Sequence, residues 1–82
     1  MSFNDGLKYT GGTAITPADA TDIGVSSHGL MVNVAGDVKL SFRGAETVFI
    51  TLTLLASVPY QLGNIYSIES TGTDADGIHV LR

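Results

Sequence analysis

The sequence predicts an all-β fold: a small antiparallel β-sandwich or barrel of six to eight short strands. Apolar residues alternate with polar ones over several short segments, which is the pattern of strands with one buried face. Turn-forming glycine, proline and aspartate residues recur at intervals of about ten residues, and no segment has the spacing of an amphipathic helix. These observations favour short strands joined by tight turns.

The clearest alternation runs through residues 30–42 and is interrupted by Gly36 and Asp37. A Gly-Asp pair between two alternating segments predicts a β-hairpin with its turn at those two residues. The face expected to be buried comprises Leu30, Val32, Val34, Val38, Leu40 and Phe42. The face expected to meet water comprises Asn33, Lys39, Ser41 and Arg43.

Shorter elements lie on either side of this hairpin. Residues 1–12 are polar and glycine-rich, and we expect a flexible N-terminal arm there, which is either a frayed terminus or a segment that orders on a neighbouring subunit. A single β-sandwich domain is expected over residues 13–82. Pro59 predicts an edge strand, because proline lacks the N–H that a central strand needs. The remaining strands or extended pieces are expected at residues 14–16, 21–24, 47–55, 57–62, 65–70 and 78–81.

The strand at residues 47–55 is apolar on both faces. One face should carry Val48, Ile50, Leu52 and Leu54, and the other should carry Thr47, Phe49, Thr51 and Thr53. A phenylalanine among threonines can be an isolated exposed side chain or the anchor of a subunit contact. We expect the contact, and therefore predict that Phe49, Thr47, Thr51 and Thr53 form a subunit interface.

Composition also favours self-association. Hydrophobic residues make up 44% of the 82 residues and charged residues only 15%, whereas roughly a quarter or more of a small monomer's surface is usually charged. A core of this size supplies about 3–5 kcal/mol, so small domains commonly need a further constraint. Cysteine is absent, which excludes disulfides as that constraint. A homo-oligomer is the expected solution.

The charge pattern argues against nucleic acid and membrane partners. The net charge is −4, and the basic residues are scattered along the sequence, so direct binding to nucleic acid is not expected. The first residues show no basic segment followed by an apolar one, and apolar runs are short, so neither a signal peptide nor a membrane span is expected. The basic residues are Lys8, Lys39, Arg43 and Arg82.

No motif predicts chemistry. An EF-hand register that places Gly77 at the glycine position would put the last ligand beyond Arg82, so Asp74 is better explained by a solvated turn. Ser26 fails the nucleophile-elbow pattern, because His28 stands where a glycine is required. We therefore predict no catalytic residues, no metal site and no cofactor, and a protein that is not an enzyme.

Three segments, residues 15–22, 29–38 and 68–78, have an order and spacing that resemble the small spike-base proteins of tailed bacteriophages and gene transfer agents. They read Ile-Thr-Pro-Ala-Asp-Ala-Thr-Asp, Gly-Leu-Met-Val-Asn-Val-Ala-Gly-Asp-Val and Ile-Glu-Ser-Thr-Gly-Thr-Asp-Ala-Asp-Gly-Ile. The resemblance covers residues 14–81. It implies a virion structural protein that forms a symmetric oligomeric base or decoration on the particle and holds a spike or fibre.

On that resemblance, the expected partners are further copies of the chain and other virion proteins, namely capsid, spike or fibre. The expected location is the virion, and the cytoplasm of the bacterial host during assembly. The alternative is a small carbohydrate-binding β-module in which Tyr9, Tyr60 or Tyr66 stacks on sugar rings.

Overall fold

The computed structural model describes residues 11–82, which form six strands and no helix within that range. This confirms the predicted all-β class and the predicted number of strands. The strands are β1 (Gly12–Ala14), β2 (Gly29–Met31), β3 (Gly36–Phe42), β4 (Ala45–Leu54), β5 (Ile65–Ile68) and β6 (His79–Leu81).

The six strands make two antiparallel sheets of three strands each. One sheet has the order β1-β6-β2 and the other has the order β4-β3-β5. Both sheets contribute side chains to one hydrophobic core, as expected for a small β-sandwich. The core consists of Leu30, Val32, Val38, Leu40, Leu54, Ile65, Ile68, Ala75, Ile78 and Val80.

The prediction of a hairpin with its turn at Gly36 and Asp37 is wrong. β2 and β3 lie in different sheets, and the chain crosses between them at residues 32–35. Gly36 begins β3, where a Cβ atom would lie 2.8 Å from the backbone nitrogen of Ala75. The adjacent Asp37 carbonyl accepts a hydrogen bond from the N–H of Asp74 at 2.9 Å. Glycine is needed here because another backbone approaches closely, not because the chain turns.

The predicted faces of this region need two corrections. Ser41, expected to meet water, is fully buried, and its hydroxyl lies 2.7 Å from that of Ser67 on β5. β3 is the central strand of its sheet and is covered on both sides at this point. The polar position of its alternating pattern at Ser41 is therefore buried as well. Val34, expected in the core, is 53% exposed because it lies in the crossover between the sheets.

Two segments predicted as strands or extended pieces are loops that make backbone contacts with strands. Residues 57–62 form no strand, although Tyr60 and Leu30 make an isolated antiparallel bridge with two backbone hydrogen bonds of 2.8 Å. The extended piece at residues 21–24 likewise forms no strand, but the N–H of Ile23 donates to the carbonyl of Tyr66 at 2.7 Å. These loops therefore cover the outer edges of β2 and β5.

Most of the predicted N-terminal arm, residues 1–10, lies outside the described residues. Its last two residues are described. Gly11 exchanges backbone hydrogen bonds with Arg82, and Gly12 begins β1.

Candidate interaction surface

β4 is the longest strand among residues 11–82 and lies at the edge of its sheet. Its inner edge pairs with β3, with Leu40 opposite Ile50 and Gly36 opposite Leu54. No strand in the described part of the chain pairs with its outer edge. An unpaired edge presents N–H and C=O groups that can bind another strand.

The hydrogen bonds of β3 show which residues of β4 point outward. The N–H of Lys39 donates to the Thr73 hydroxyl, and the Lys39 carbonyl accepts from the N–H of Glu69. The backbone groups of Lys39 therefore point toward the β5 side of the sheet. Alternate residues of a strand bond to opposite sides, so Leu40 bonds to its partner Ile50 on β4. It follows that the odd-numbered residues in the C-terminal part of β4, beyond the register shift, turn their backbone groups toward the open edge. They are Phe49, Thr51 and Thr53.

Burial along β4 decreases steadily toward its N-terminal half. Val48, within the register shift, is 59% exposed. On the core-facing side Leu54 is buried, Leu52 is half-buried and Ile50 is 41% exposed. Phe49, on the opposite side, is 40% exposed. The strand therefore presents three consecutive large apolar residues to solvent, on both of its faces.

A bulge explains why this part of β4 is uncovered. Leu40 pairs with Ile50 and Phe42 pairs with Ala45, so Ser41 alone lies opposite residues 46–49. Extra residues in one strand of a pair are left without partners across the ladder. The segment without regular partners contains Val48 and Phe49.

All four residues of the predicted interface are exposed. The Lys39 ammonium lies 5.3 Å from the centre of the Phe49 ring, and the Thr53 hydroxyl donates to the Asp37 carboxylate at 2.6 Å. Sequence reasoning assigned Val48 and Ile50 to the core face and so omitted them from the surface. Ile50 pairs with the buried Leu40, so its predicted face is correct, whereas Val48 lies within the register shift and has no partner on β3. Alternation carries no signal for where the covering sheet stops.

A separate open cavity of about 360 Å³ is polar. Two hydrogen bonds, of 2.9 and 3.0 Å, join the Arg43 guanidinium to the Asp22 carboxylate. This contact, together with a hydrogen bond from the N–H of Gly24, holds the pKa of Asp22 below its usual value. The Ser27 hydroxyl accepts from the N–H of Ile65 at 3.0 Å. The lining residues include Asp22, Ser26, Ser27, His28, Arg43 and Asn64.

The side chains of Asp22, Arg43 and Ser27 are thus engaged in holding loops together. Among residues 11–82 no three histidine, aspartate or glutamate side chains are grouped so as to hold a metal ion. No helix in the described range is long and apolar enough to cross a membrane. No protein-family model, curated protein or solved structure matches the chain.

Proposed function

We propose that this chain is a structural protein of a bacteriophage or phage-like virion, which self-associates into a symmetric base or adaptor that holds a spike or fibre. The virion assignment is supported by the sequence resemblance at residues 15–22, 29–38 and 68–78. The self-association is supported by an independent observation, the exposed apolar edge of β4. The protein would act mechanically, through the geometry of its assembled subunits.

The single observation that carries the proposal is the joint exposure of Val48, Phe49 and Ile50 on an unpaired strand edge. Adjacent exposed apolar side chains of this size are typical of surfaces that bind another protein. A monomer gains nothing from keeping them in water, whereas burial contributes about 25 cal/mol per Å² of apolar area. An assembling protein would gain that free energy on association.

The carbohydrate-binding alternative has less support from the described residues. The Tyr60 hydroxyl accepts a hydrogen bond from the N–H of Leu55 at 2.9 Å, and its ring is half-buried. The Tyr66 ring is half-buried too, with the Arg43 guanidinium 5.8 Å from its centre. Neither ring is an open platform for a sugar. Tyr9 lies outside the described residues.

The proposal is tested by asking whether the chain is part of a particle. Virions or phage-like particles from a producing culture would be banded on a density gradient and analysed by mass spectrometry. The proposal predicts that the chain bands with the capsid protein in a fixed ratio. Recovery of the chain only in the particle-free fractions would overturn the virion assignment. A sugar-affinity column run in parallel would retain the chain only if the alternative were correct.

A further inference from the structure

The exposed part of β4 has a sequence that reads alike in both directions. Residues 47–51 are Thr-Val-Phe-Ile-Thr, with Phe49 at the centre. Two antiparallel copies related by a two-fold axis at Phe49 would place Thr47 opposite Thr51 and Val48 opposite Ile50. Pairs of threonines and pairs of aromatic residues are favourable across antiparallel strands.

We infer that the outer edge of β4 pairs with β4 of a second copy of this chain, antiparallel and with Phe49 beside the two-fold axis. The inference rests on the self-association in the proposed function and adds the strand, the register and the symmetry. Pairing in this way joins the β4-β3-β5 sheets of two copies into one continuous sheet of six strands.

The backbone of β4 from Phe49 onward suits this register. Phe49, Thr51 and Thr53 turn their N–H and C=O groups outward, and in the proposed register odd-numbered residues face odd-numbered residues. Phe49 would exchange two hydrogen bonds with its own copy. Ala45 already pairs with Phe42 of β3, so the new ladder would end where Thr51 lies opposite Thr47.

Charge places no obstacle at the pairing. The only charged residue of β4 is Glu46, which would lie opposite Leu52 of the second copy. The two Glu46 residues would be six positions apart along the strands, about 20 Å, which exceeds the screening length of about 8 Å at physiological salt. Edge strands that avoid pairing commonly carry lysine or proline, and β4 has neither. Its bulge is the only protective feature.

The other edges are poorer partners for β4. The outer edge of β5 is bonded to the loop before β2, through the N–H groups of Ala18 and Ile23. The outer edge of β2 is bonded to Tyr60. β1 offers only three residues, Gly12–Ala14. The β4 contact with itself therefore gives the longest ladder available to the described chain.

The symmetry of this contact restricts the number of chains in the assembly. A two-fold contact uses the same patch on both copies and closes on itself, whereas a ring of more than two subunits needs two different patches. We therefore expect a dimer as the basic unit, so that any larger base contains an even number of chains.

Single-cysteine variants test the register, because the natural chain has no cysteine. Cα atoms of directly opposed residues are about 5.5 Å apart, within the span of a disulfide, so Phe49→Cys should link two chains under mild oxidation. Thr53→Cys is the matched control, since its two copies would be eight positions apart, about 27 Å. The result expected is a shift of most Phe49→Cys protein to twice the monomer mass, with Thr53→Cys remaining monomeric on a denaturing gel.

A second experiment keeps the Phe49 ring in place. Val48→Cys and Ile50→Cys proteins, one of them carrying a mass tag, would be mixed and oxidised, and the proposed register predicts mainly mixed disulfides. A maximum at Thr51→Cys or Thr53→Cys would overturn the register. Failure of every variant to cross-link, in a protein that light scattering shows to be oligomeric, would overturn the β4 contact and leave the proposed function standing. A monomer at all concentrations would overturn the self-association as well.

Discussion

The hydroxyl groups of Ser41 and Ser67 lie 2.7 Å apart, and both side chains are fully buried between β3 and β5. One hydroxyl donates a hydrogen bond to the other, so each has a hydrogen-bond partner although both are buried. A polar pair at this depth joins the two strands at a point where alternation predicts a solvent-facing residue. It makes the centre of the β4-β3-β5 sheet sensitive to the loss of either hydroxyl.

We expect Ser41→Ala alone to lower the free energy of unfolding by about 1–3 kcal/mol, because it leaves the Ser67 hydroxyl buried without a partner. The Ser41→Ala/Ser67→Ala double variant should be less destabilised than the sum of the single variants, because no polar group is then left unsatisfied. Urea unfolding of the four proteins measures this. Additive losses, or a loss no larger than that of the exposed control Ser26→Ala, would contradict the account.

Gly36→Ala distinguishes a close approach from a turn. An added methyl group would meet the backbone of Ala75, and overpacking of this kind typically costs about 1–3 kcal/mol. Gly24→Ala is the comparison, because Gly24 has open space around it but a φ of 78°. Its loss should come from backbone strain alone. Thermal unfolding compares the two variants, and an unchanged Gly36→Ala protein would show that the approach is looser than described.

Substitutions in the core and in the exposed part of β4 should change the free energy of unfolding by different amounts. Leu40→Ala removes a fully buried side chain and should cost about 2–5 kcal/mol. Val48→Thr changes a side chain that is 59% exposed without changing its shape much, and should alter the stability of the monomer by less than about 0.5 kcal/mol. The test is chemical unfolding at concentrations where the protein is monomeric. A large loss for Val48→Thr would mean that Val48 supports the fold itself.

Acid should weaken the contact between the loop at Asp19 and the loop at Thr71. The N–H of Thr71, then its hydroxyl, donate to the Asp19 carboxylate and lower the pKa of Asp19. Because the pKa is lower in the folded state, this stabilisation is present above the unfolded pKa of about 3.9. It is lost as pH falls through the folded value.

This dependence can be measured by following urea unfolding from pH 6 to pH 2, with an NMR titration of the Asp19 carboxyl carbon. Asp19→Asn should remove part of the acid-induced loss, whereas Asp22→Asn should leave the Asp19 part in place. An Asp19 carboxyl that titrates at or above its unfolded value would contradict the prediction.

Alternation and turn residues were sufficient to predict the all-β class, most strand positions and the faces of β4 from Phe49 to Leu54. They failed at Gly36, because glycine serves both for turns and for close backbone approaches, and the backbone of Ala75 is distant in sequence. They failed at Ser41, because a central strand can be covered on both sides. They also failed to predict the exposure of Val48, because local pattern does not say how far the opposite sheet extends.

The most direct test of the account is the native mass of the purified chain, measured by light scattering over a dilution series, beside Phe49→Asp and the control Leu55→Asp. Leu55 is 64% exposed and lies just beyond β4, so it is a matched apolar-to-acidic change outside the proposed ladder. We expect an even-numbered oligomer for the natural chain and for Leu55→Asp, and a protein of at most half that mass for Phe49→Asp. A monomeric natural chain, or a Phe49→Asp protein of unchanged mass, would contradict the account.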